Sequence, residues 1–274
     1  MVYVLERGSL FGPSIPACKC LDTLATEVGR DLAVRNAAIA HDFPADRDRW
    51  MALLDRIGQP LAEGPHPGAH PDLPRRRRPC ASTSSRPPTS AAQHGLLGSH
   101  SASSSTGDQG RFVALYIADP GWQDEPHASA SCTAVRWVDA LAWMQAHSPG
   151  TYAADFALLS GTPFPSEDGS PAGRPLLFPC TRATSPVDLG ARVPRGALGR
   201  AQRAAYRDPR LKPYAAAVSR FLAAADHPEV RHALDLRAGD VVLLDNERIG
   251  HGRLALPALP GRSNPRDVWS MVLA

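Results

Sequence analysis

The sequence contains almost no lysine and no long apolar run. Lysine occurs only at Lys19 and Lys212, so the 30 basic residues are nearly all arginine. No apolar stretch approaches the ~18 residues that are needed to cross a bilayer, and the first residues lack the apolar segment of a secretion signal. We therefore expect a cytoplasmic protein that has no membrane partner.

Cysteine pairs and common catalytic motifs are also lacking. The number of cysteines is odd, and no second pair completes a four-ligand zinc site with Cys18 and Cys20. We find no nucleophile elbow, no phosphate-binding glycine loop and no paired-carboxylate signature. We therefore expect unpaired thiols at all five positions, which are Cys18, Cys20, Cys80, Cys132 and Cys180.

Basic charge is concentrated at one place. The net charge is +3, and four consecutive arginines occupy positions 75–78 between two prolines. A run of this kind in a segment without periodicity is most simply a solvated loop. Because nothing else resembles a nucleic-acid-binding module, we expect no nucleic-acid partner.

Apolar periodicity predicts a mixture of short strands and helices. Helices are predicted over 17–31, 46–57, 138–147 and 208–225, and strands over 32–34, 111–118, 131–135, 175–180, 241–244 and 268–273. Short strands dominate the second half, which favours a β-sandwich or barrel decorated by helices over a parallel sheet. The length of 274 residues suits one domain spanning 1–274.

The segment from 59 to 110 has a different composition. Proline, glycine, serine, histidine and arginine dominate it, and it shows no convincing amphipathic element. Loops of this length in a compact domain are usually functional lids or disordered segments. We predict a mobile lid over 59–110.

The most informative segment is GDVVLLDNERIGHGR, which covers residues 239–253. Gly239 and Asp240 form a predicted tight turn that leads into a buried strand, and His251 follows close to the mouth of a barrel. A neutral imidazole at such a place can bind a metal ion. A single histidine in this position is more often a satisfied, partly buried side chain.

This segment resembles the C-terminal iron-binding motif of the Fe(II)/2-oxoglutarate-dependent oxygenases of the taurine dioxygenase and clavaminate synthase type. The resemblance implies a double-stranded β-helix, which is a jelly-roll, cupin-like core, in a mainly β fold with flanking helices. It assigns His251 as the distal iron ligand and His100, in the segment LLGSHSA, as the proximal one. It also implies that Arg266 or Arg262 binds 2-oxoglutarate, and Thr133 in SCTAV resembles the threonine that helps to hold it.

One departure from the family pattern concerns the third iron ligand. The family's HxD or HxE carboxylate falls at Ala102, so one ligand and one negative charge of the usual platform are missing. In this superfamily, alanine or glycine at that position is typical of halogenases, in which chloride fills the vacancy. The resemblance therefore implies Fe(II), 2-oxoglutarate and O2 as cofactors and co-substrates, with chloride as an additional ligand.

Three alternatives for the metal site remain open. His70 and Asp72 form a literal HxD, although they lie far from the strand at 111–118. A nearby carboxylate such as Asp108 could replace the missing ligand. The lost carboxylate could also mark a catalytically dead protein that binds a small molecule, including a phosphorylated one near Arg75–Arg78.

These observations lead to one functional prediction. We expect an oxidative tailoring enzyme of natural product biosynthesis that chlorinates an aliphatic C–H of a small amino-acid-like or nucleoside-like metabolite. A hydroxylase or desaturase of the same family is the alternative. The expected partner is a small-molecule substrate, and a homodimer stays open.

Overall fold

The computed structural model describes residues 10–17, 20–58, 97–101, 110–119, 132–165, 171–180, 188–253 and 267–274. The helices are α1 (Leu21–Arg35), α2 (Arg47–Ile57), α3 (Trp137–His147), α4 (Pro149–Gly161), α5 (Ala197–Arg207) and α6 (Lys212–Ala225), with a 3-10 turn at Pro209–Leu211. The strands are β1 (Ile15–Pro16), β2 (Ala37–His41), β3 (Leu97–His100), β4 (Phe112–Asp119), β5 (Cys132–Arg136), β6 (Pro163–Pro165), β7 (Pro171–Pro175), β8 (Leu177–Pro179), β9 (Leu189–Ala191), β10 (His232–Leu234), β11 (Val241–Asp245), β12 (Ile249–Arg253) and β13 (Asp267–Leu273).

Two sheets form the centre of this fold. The large sheet has five strands in the order β1-β2-β11-β4-β13, and the small sheet has four in the order β10-β5-β12-β3. All neighbouring strands in both sheets are antiparallel except β1 and β2. Two short ribbons, β6-β7 and β8-β9, lie outside these sheets.

Side-chain alternation along the strands divides the interior into layers. On β11, Val241 and Leu243 pack with helices α1 and α2, whereas Val242 and Leu244 belong to a core shared by the two sheets. On β5, Ala134 belongs to that shared core, whereas Val135 packs with helices α3 to α6. The two sheets therefore face each other, and each carries a helical layer on its outer face.

Helix α1 differs from its sequence-based prediction. We expected the helix to end at residue 31 and a strand to follow at 32–34, but the helix continues to Arg35 and is capped by Asn36 at φ 64°. The prediction was wrong because Leu32 continues the buried stripe of Leu24 and Val28. Gly29 lies on the outer face, where no atom approaches the position of an added Cβ.

Several other predicted elements are confirmed. Helix α2 begins after Asp46, whose carboxylate accepts hydrogen bonds from two backbone amides of the first turn, and it ends at Gly58. The observed strands include those predicted near 112, 132, 241 and 268. The last predicted helix begins at Lys212, because Pro209–Leu211 forms the separate 3-10 turn.

Two sequence-based expectations need correction. Helices contribute more residues than strands in the described ranges, so the fold is a mixture of sheets and helices and not mainly β. Within the predicted lid, residues 97–100 form a regular strand of the small sheet. The remainder of the lid from 59 to 96 and from 102 to 109 lies outside the described residues, as do Arg75–Arg78.

Among the described residues, no helix is both long and apolar enough to cross a membrane. Cys20, Cys132 and Cys180 form no disulfide within that part of the chain, and Cys18 and Cys80 lie outside it.

Candidate metal centre

His100 and His251 lie side by side in the small sheet. Strands β3 and β12 run antiparallel, and the two histidines are direct cross-strand partners. The centres of their imidazole rings are 4.4 Å apart, and the ring planes are inclined by 46°. The fold therefore brings together the two histidines that the sequence predicts as iron ligands.

The register places both imidazoles on the inner face of the small sheet. His251 is also the partner of Ala134 on β5, and cross-strand partners project from the same face of a sheet. Ala134 belongs to the core shared by the two sheets. The histidine pair consequently lies between the sheets, with His100 itself only 3% exposed.

Hydrogen bonds define the neutral tautomer of His100. Its Nδ1 is 3.1 Å from the carbonyl oxygen of Gly98, which can only accept, so Nδ1 carries the proton. Its Nε2 is 3.0 Å from Nε of Arg195, which can only donate, so Nε2 holds a lone pair. Burial, together with the charge of Arg195, lowers the pKa of His100 to about 4. This imidazole is therefore neutral and has a lone pair at physiological pH.

His251 has a buried nitrogen without a partner. Its Nδ1 is inaccessible to solvent and has no hydrogen-bond partner among the described residues. Burial lowers the pKa of His251 well below its ordinary value, and the neighbouring His100 and Arg195 lower it further. A buried polar atom of this kind needs a partner, and an unprotonated imidazole nitrogen can donate its lone pair to a metal cation.

The two imidazoles fit a shared metal ion. Two rings that bind one metal at nitrogen–metal distances of ~2.1 Å have centres on the order of 4–5 Å apart, as these rings do. Within the described residues, no cluster of three His, Cys, Asp or Glu side chains is present. The predicted third position, Ala102, and the alternatives Asp108, His70 and Asp72 lie outside those residues.

The predicted 2-oxoglutarate residues are not brought to this pair by the described structure. Thr133 is the partner of Gly252, one residue beyond His251, so its side chain projects from the opposite face of the small sheet. It lies on the side of Val135, towards the outer helices. The predicted roles of Arg262 and Arg266 concern residues outside the described ranges.

Arg195 is a site residue that sequence reasoning missed. It follows β9 in the turn before α5, far from either histidine in the sequence. Buried Ser101 holds this segment beside β3: its amide donates to the carbonyl of Val193 at 2.8 Å, and its hydroxyl donates to the carbonyl of Ala191 at 3.0 Å. An arginine in a short turn carries no signal of its own, so only the tertiary contact reveals it.

Strand β3 lies at the edge of the small sheet and is anchored from its outer side. The backbone amide and the hydroxyl of Ser99 both donate to one carboxylate oxygen of Asp226, at 3.0 and 2.9 Å. Asp226 caps the C-terminal end of α6. This contact ties the strand that carries His100 to the outer helical layer.

Strand β12 is positioned by the indole of Trp137 and by ion pairs in the turn that precedes the strand. An added Cβ at Gly250 would lie 2.2 Å from the fully buried ring of Trp137, so only glycine lets the strand approach this closely. In the turn before β12, Arg248 donates to Asp245 at 2.8 Å and to Asp188 at 2.6 Å. These contacts fix the register that directs His251 inward.

Comparison with known proteins gives structural matches but no sequence family. No protein-family model and no curated protein matches the sequence. The chain is similar to PvcB, an Fe, α-ketoglutarate-dependent oxygenase from an isonitrile synthetic pathway. That match has a TM-score of 0.55 and 15% identity over 96% of this chain and 82% of PvcB.

Two other solved structures have comparable similarity. One is the non-heme iron oxygenase OrfP in complex with Fe, with a TM-score of 0.56 and 16% identity over 92% of this chain and 78% of OrfP. The other is asparagine oxygenase in complex with Fe(II), 3-hydroxyasparagine and succinate, with a TM-score of 0.56 and 15% identity over 92% of this chain and 79% of that chain. Likeness at this identity shows that the chain shares the fold of these three structures.

Proposed function

We propose that this chain is a non-heme Fe(II)/2-oxoglutarate-dependent oxidative tailoring enzyme in which His100 and His251 bind the iron. The observation that carries the proposal is the 4.4 Å separation of the two ring centres on adjacent strands of the small sheet. Those two residues are also the ones that the sequence resemblance selects. The fold shared with PvcB, OrfP and asparagine oxygenase supports the same cofactors.

The protein offers the metal two neutral imidazoles. Desolvation keeps both rings unprotonated, so protons do not compete with the metal for their lone pairs. The bond from Nδ1 of His100 to Gly98 fixes the orientation of that ring. When bound, iron with 2-oxoglutarate and O2 supplies the oxidant that removes hydrogen from an unactivated carbon. The pair lies on the same face as the apolar side chains that the two sheets share.

We also propose that the fold is a double-stranded β-helix. Two antiparallel sheets that face each other and hold a histidine pair between them are compatible with a double-stranded β-helix of the jelly-roll type. We assign the distal carboxylate of 2-oxoglutarate to Arg266 or Arg262 on the sequence resemblance alone. The opposite orientation of Thr133 gives no support to its assigned role.

We further propose that the reaction is chlorination of an aliphatic C–H, with hydroxylation as the alternative. The sequence resemblance puts alanine at position 102, where the family has a carboxylate ligand, and alanine at that position is typical of the halogenases of this superfamily, which supports chlorination. The solved neighbours OrfP and asparagine oxygenase, which were determined with hydroxylated amino acids, fit the hydroxylase alternative equally well. They also make an amino-acid-like substrate the first class to test, ahead of a nucleoside-like one.

Anaerobic titration with Fe(II) and 2-oxoglutarate tests the metal and the co-substrate together. We expect a visible charge-transfer band in the wild type and its loss in His100→Ala and in His251→Ala. His147→Ala, which changes an exposed histidine on α3, is the matched control and should retain the band. A band that survives both site substitutions, or no band in the wild type, contradicts iron binding at this pair and favours a metal-free binding protein.

Mass spectrometry of products made with and without chloride separates the two reactions. A panel of free amino acids is the first substrate set. A chlorinated product that depends on chloride supports the halogenase, and Ala102→Asp should then abolish chlorination. Products that are hydroxylated and unchanged by chloride remove the chlorination proposal while leaving the oxygenase intact.

A further inference from the structure

A permanent positive charge is in contact with the candidate iron ligand. Nε of Arg195 donates to Nε2 of His100 at 3.0 Å. The proton on Nδ1 leaves Nε2 as the nitrogen through which His100 can bind a metal. The guanidinium therefore contacts the lone pair through which His100 would bind a metal.

The surrounding charges make this contact unusual. Arg195 makes no ion pair with a carboxylate in the described part of the chain, although Arg220 and Arg248 each pair with aspartate. The same described residues offer no third acidic ligand beside the two histidines. A divalent cation placed here would meet two neutral rings and one nearby cation, while the carboxylate of Asp226 near His100 is hydrogen-bonded to Ser99 on the outer side of β3.

An anion resolves this conflict. The Arg195 residue is exposed, and its hydrogen bond to His100 is the one side-chain contact that holds it within the described ranges, so the guanidinium is able to turn away from His100. A guanidinium presents several N–H donors in a rigid fork that suits carboxylates and other small anions. An anion bound to both the metal and the guanidinium would neutralise part of each charge.

We propose that Arg195 is the anion-binding residue of this metal site. On metal binding, its guanidinium leaves Nε2 of His100 and holds the negatively charged ligand that completes the metal's coordination. The inference rests on the proposed function and extends it to a residue that the family resemblance did not assign. A halide and the carboxylate of 2-oxoglutarate share the required chemistry.

The proposal predicts that metal and anion bind cooperatively. Because each ligand relieves a charge conflict with Arg195, each should raise the affinity of the other by the same factor. The metal should also bind more tightly without any anion once the guanidinium is removed. Both effects concern binding, so they can be measured without turnover.

Titration of the full-length protein with Co(II), followed by visible absorption, provides the measurement. The wild type and Arg195→Met are compared in a chloride-free buffer containing perchlorate, then with added chloride, and then with added 2-oxoglutarate. We expect at least one anion to tighten Co(II) binding to the wild type by about tenfold, a typical coupling between linked sites. In Arg195→Met the enhancement should fall below about twofold, and Co(II) alone should bind more tightly than to the wild type.

Two further variants sharpen the test. Arg203→Met removes an exposed arginine from α5 and should behave as the wild type, which controls for net charge. Arg195→Lys keeps the charge but loses the planar fork, so it should retain the effect of chloride and lose most of the effect of 2-oxoglutarate. Whichever of chloride and 2-oxoglutarate tightens Co(II) binding to the wild type is thereby identified as the physiological anion at Arg195.

The outcomes distinguish this inference from the proposed function. If the wild type binds Co(II) but Arg195→Met keeps the full anion enhancement, or if neither anion tightens wild-type binding, the role of Arg195 is overturned and the metal site stands. If the wild type binds no Co(II) in any buffer, both the metal site and the role of Arg195 fall.

Discussion

The large sheet and the small sheet each contain an inner strand from the same sequence motif. In the large sheet, β11 is Val241–Asp245 and is buried along its whole length. In the small sheet, β12 is Ile249–Arg253, in which two glycines flank His251. The first strand fills space on both of its faces, whereas the second leaves space for an indole on one face and presents an imidazole on the other.

This difference separates residues that stabilise the fold from residues that position the site. Side chains of β11 contribute to the free energy of unfolding mainly through the burial of apolar surface, and they affect the metal site only indirectly. The small residues of β12 and the anchors of β3 fix where two imidazoles meet. Substitutions in the large sheet should therefore change the stability, and substitutions in the small sheet should change the stability and metal binding together.

The largest expected effect is that of Gly250→Ala in β12. The new methyl group would lie 2.2 Å from the buried indole of Trp137, so either the strand or the ring must move. We expect a loss of about 4 kcal/mol or more in the free energy of unfolding, above the usual range for an overpacked core. Metal affinity should fall with it, as measured by chemical denaturation and Co(II) titration.

Gly29→Ala in α1 is the matched control for that substitution. No atom of the described residues lies within 4 Å of the added methyl group, so the same chemical change should stabilise the helix by about 0.5–1 kcal/mol. Equal effects at the two glycines would show that Trp137 does not constrain β12.

Leu243→Ala tests whether the large sheet acts on the stability alone. Leu243 is fully buried between β11 and the first helical layer. Its truncation should reduce the free energy of unfolding by about 3 kcal/mol through lost burial and the cavity that remains. The folded protein should bind Co(II) with nearly unchanged affinity. A large loss of Co(II) affinity in Leu243→Ala would show that the large sheet also positions the metal site.

The third prediction concerns the pH dependence of stability. His100 has a pKa of about 4 in the folded protein and an ordinary value of 6.5 when unfolded. As the pH falls below 6.5, His100 becomes protonated in the unfolded state but stays neutral in the folded state. This residue therefore lowers the free energy of unfolding between pH 6.5 and 4. Its contribution at pH 5 is about 2 kcal/mol relative to pH 7.5, because one pKa unit corresponds to about 1.4 kcal/mol.

His100→Gln removes that contribution. Unfolding of the metal-free variant, followed at several pH values, should depend less steeply on pH than unfolding of the wild type. His251 and His232 also have lowered pKa values, so part of the slope should remain. Parallel curves for variant and wild type would contradict the neutral state of His100.

The smallest effect is expected from Ser99→Ala in β3. The hydroxyl of Ser99 makes one of the two hydrogen bonds to Asp226, while the backbone amide keeps the other. We expect a loss of about 1 kcal/mol in the free energy of unfolding and a modest decrease in Co(II) affinity. An increase in stability would show that this contact does not hold the edge strand in place.

The sequence allowed prediction of the parts whose physical signals are local. Helix α2 has an aspartate cap and a glycine stop, and the strands at 112–119 and 241–245 are apolar runs bounded by turn residues. The resemblance of GDVVLLDNERIGHGR to a known motif predicted His251, and the position of LLGSHSA shortly before the strand at 111–118 predicted His100. The extension of α1 was missed because a short apolar run such as 32–34 is typical of a strand as well as of a helix, and in the structure Leu32 continues the buried stripe of the helix.

The rest of the site depends on contacts between distant segments. Arg195 and Asp226 are far from both histidines in the sequence and are brought near His100 by the tertiary fold, and neither of them lies in a recognisable motif. The orientation of Thr133 depends on its register against β12, and a shift of one residue reverses the face. Sequence spacing cannot supply that register, so the inferred contact with 2-oxoglutarate was not supported.

The most direct test of the account is an anomalous-scattering map of crystals grown anaerobically with Fe(II). We expect one iron peak between the sheets, within ~2.1 Å of a nitrogen atom of both His100 and His251. A peak bound to only one of these rings, an iron site elsewhere, or no peak between the rings would contradict the central claim that the two strands deliver their histidines to one metal ion.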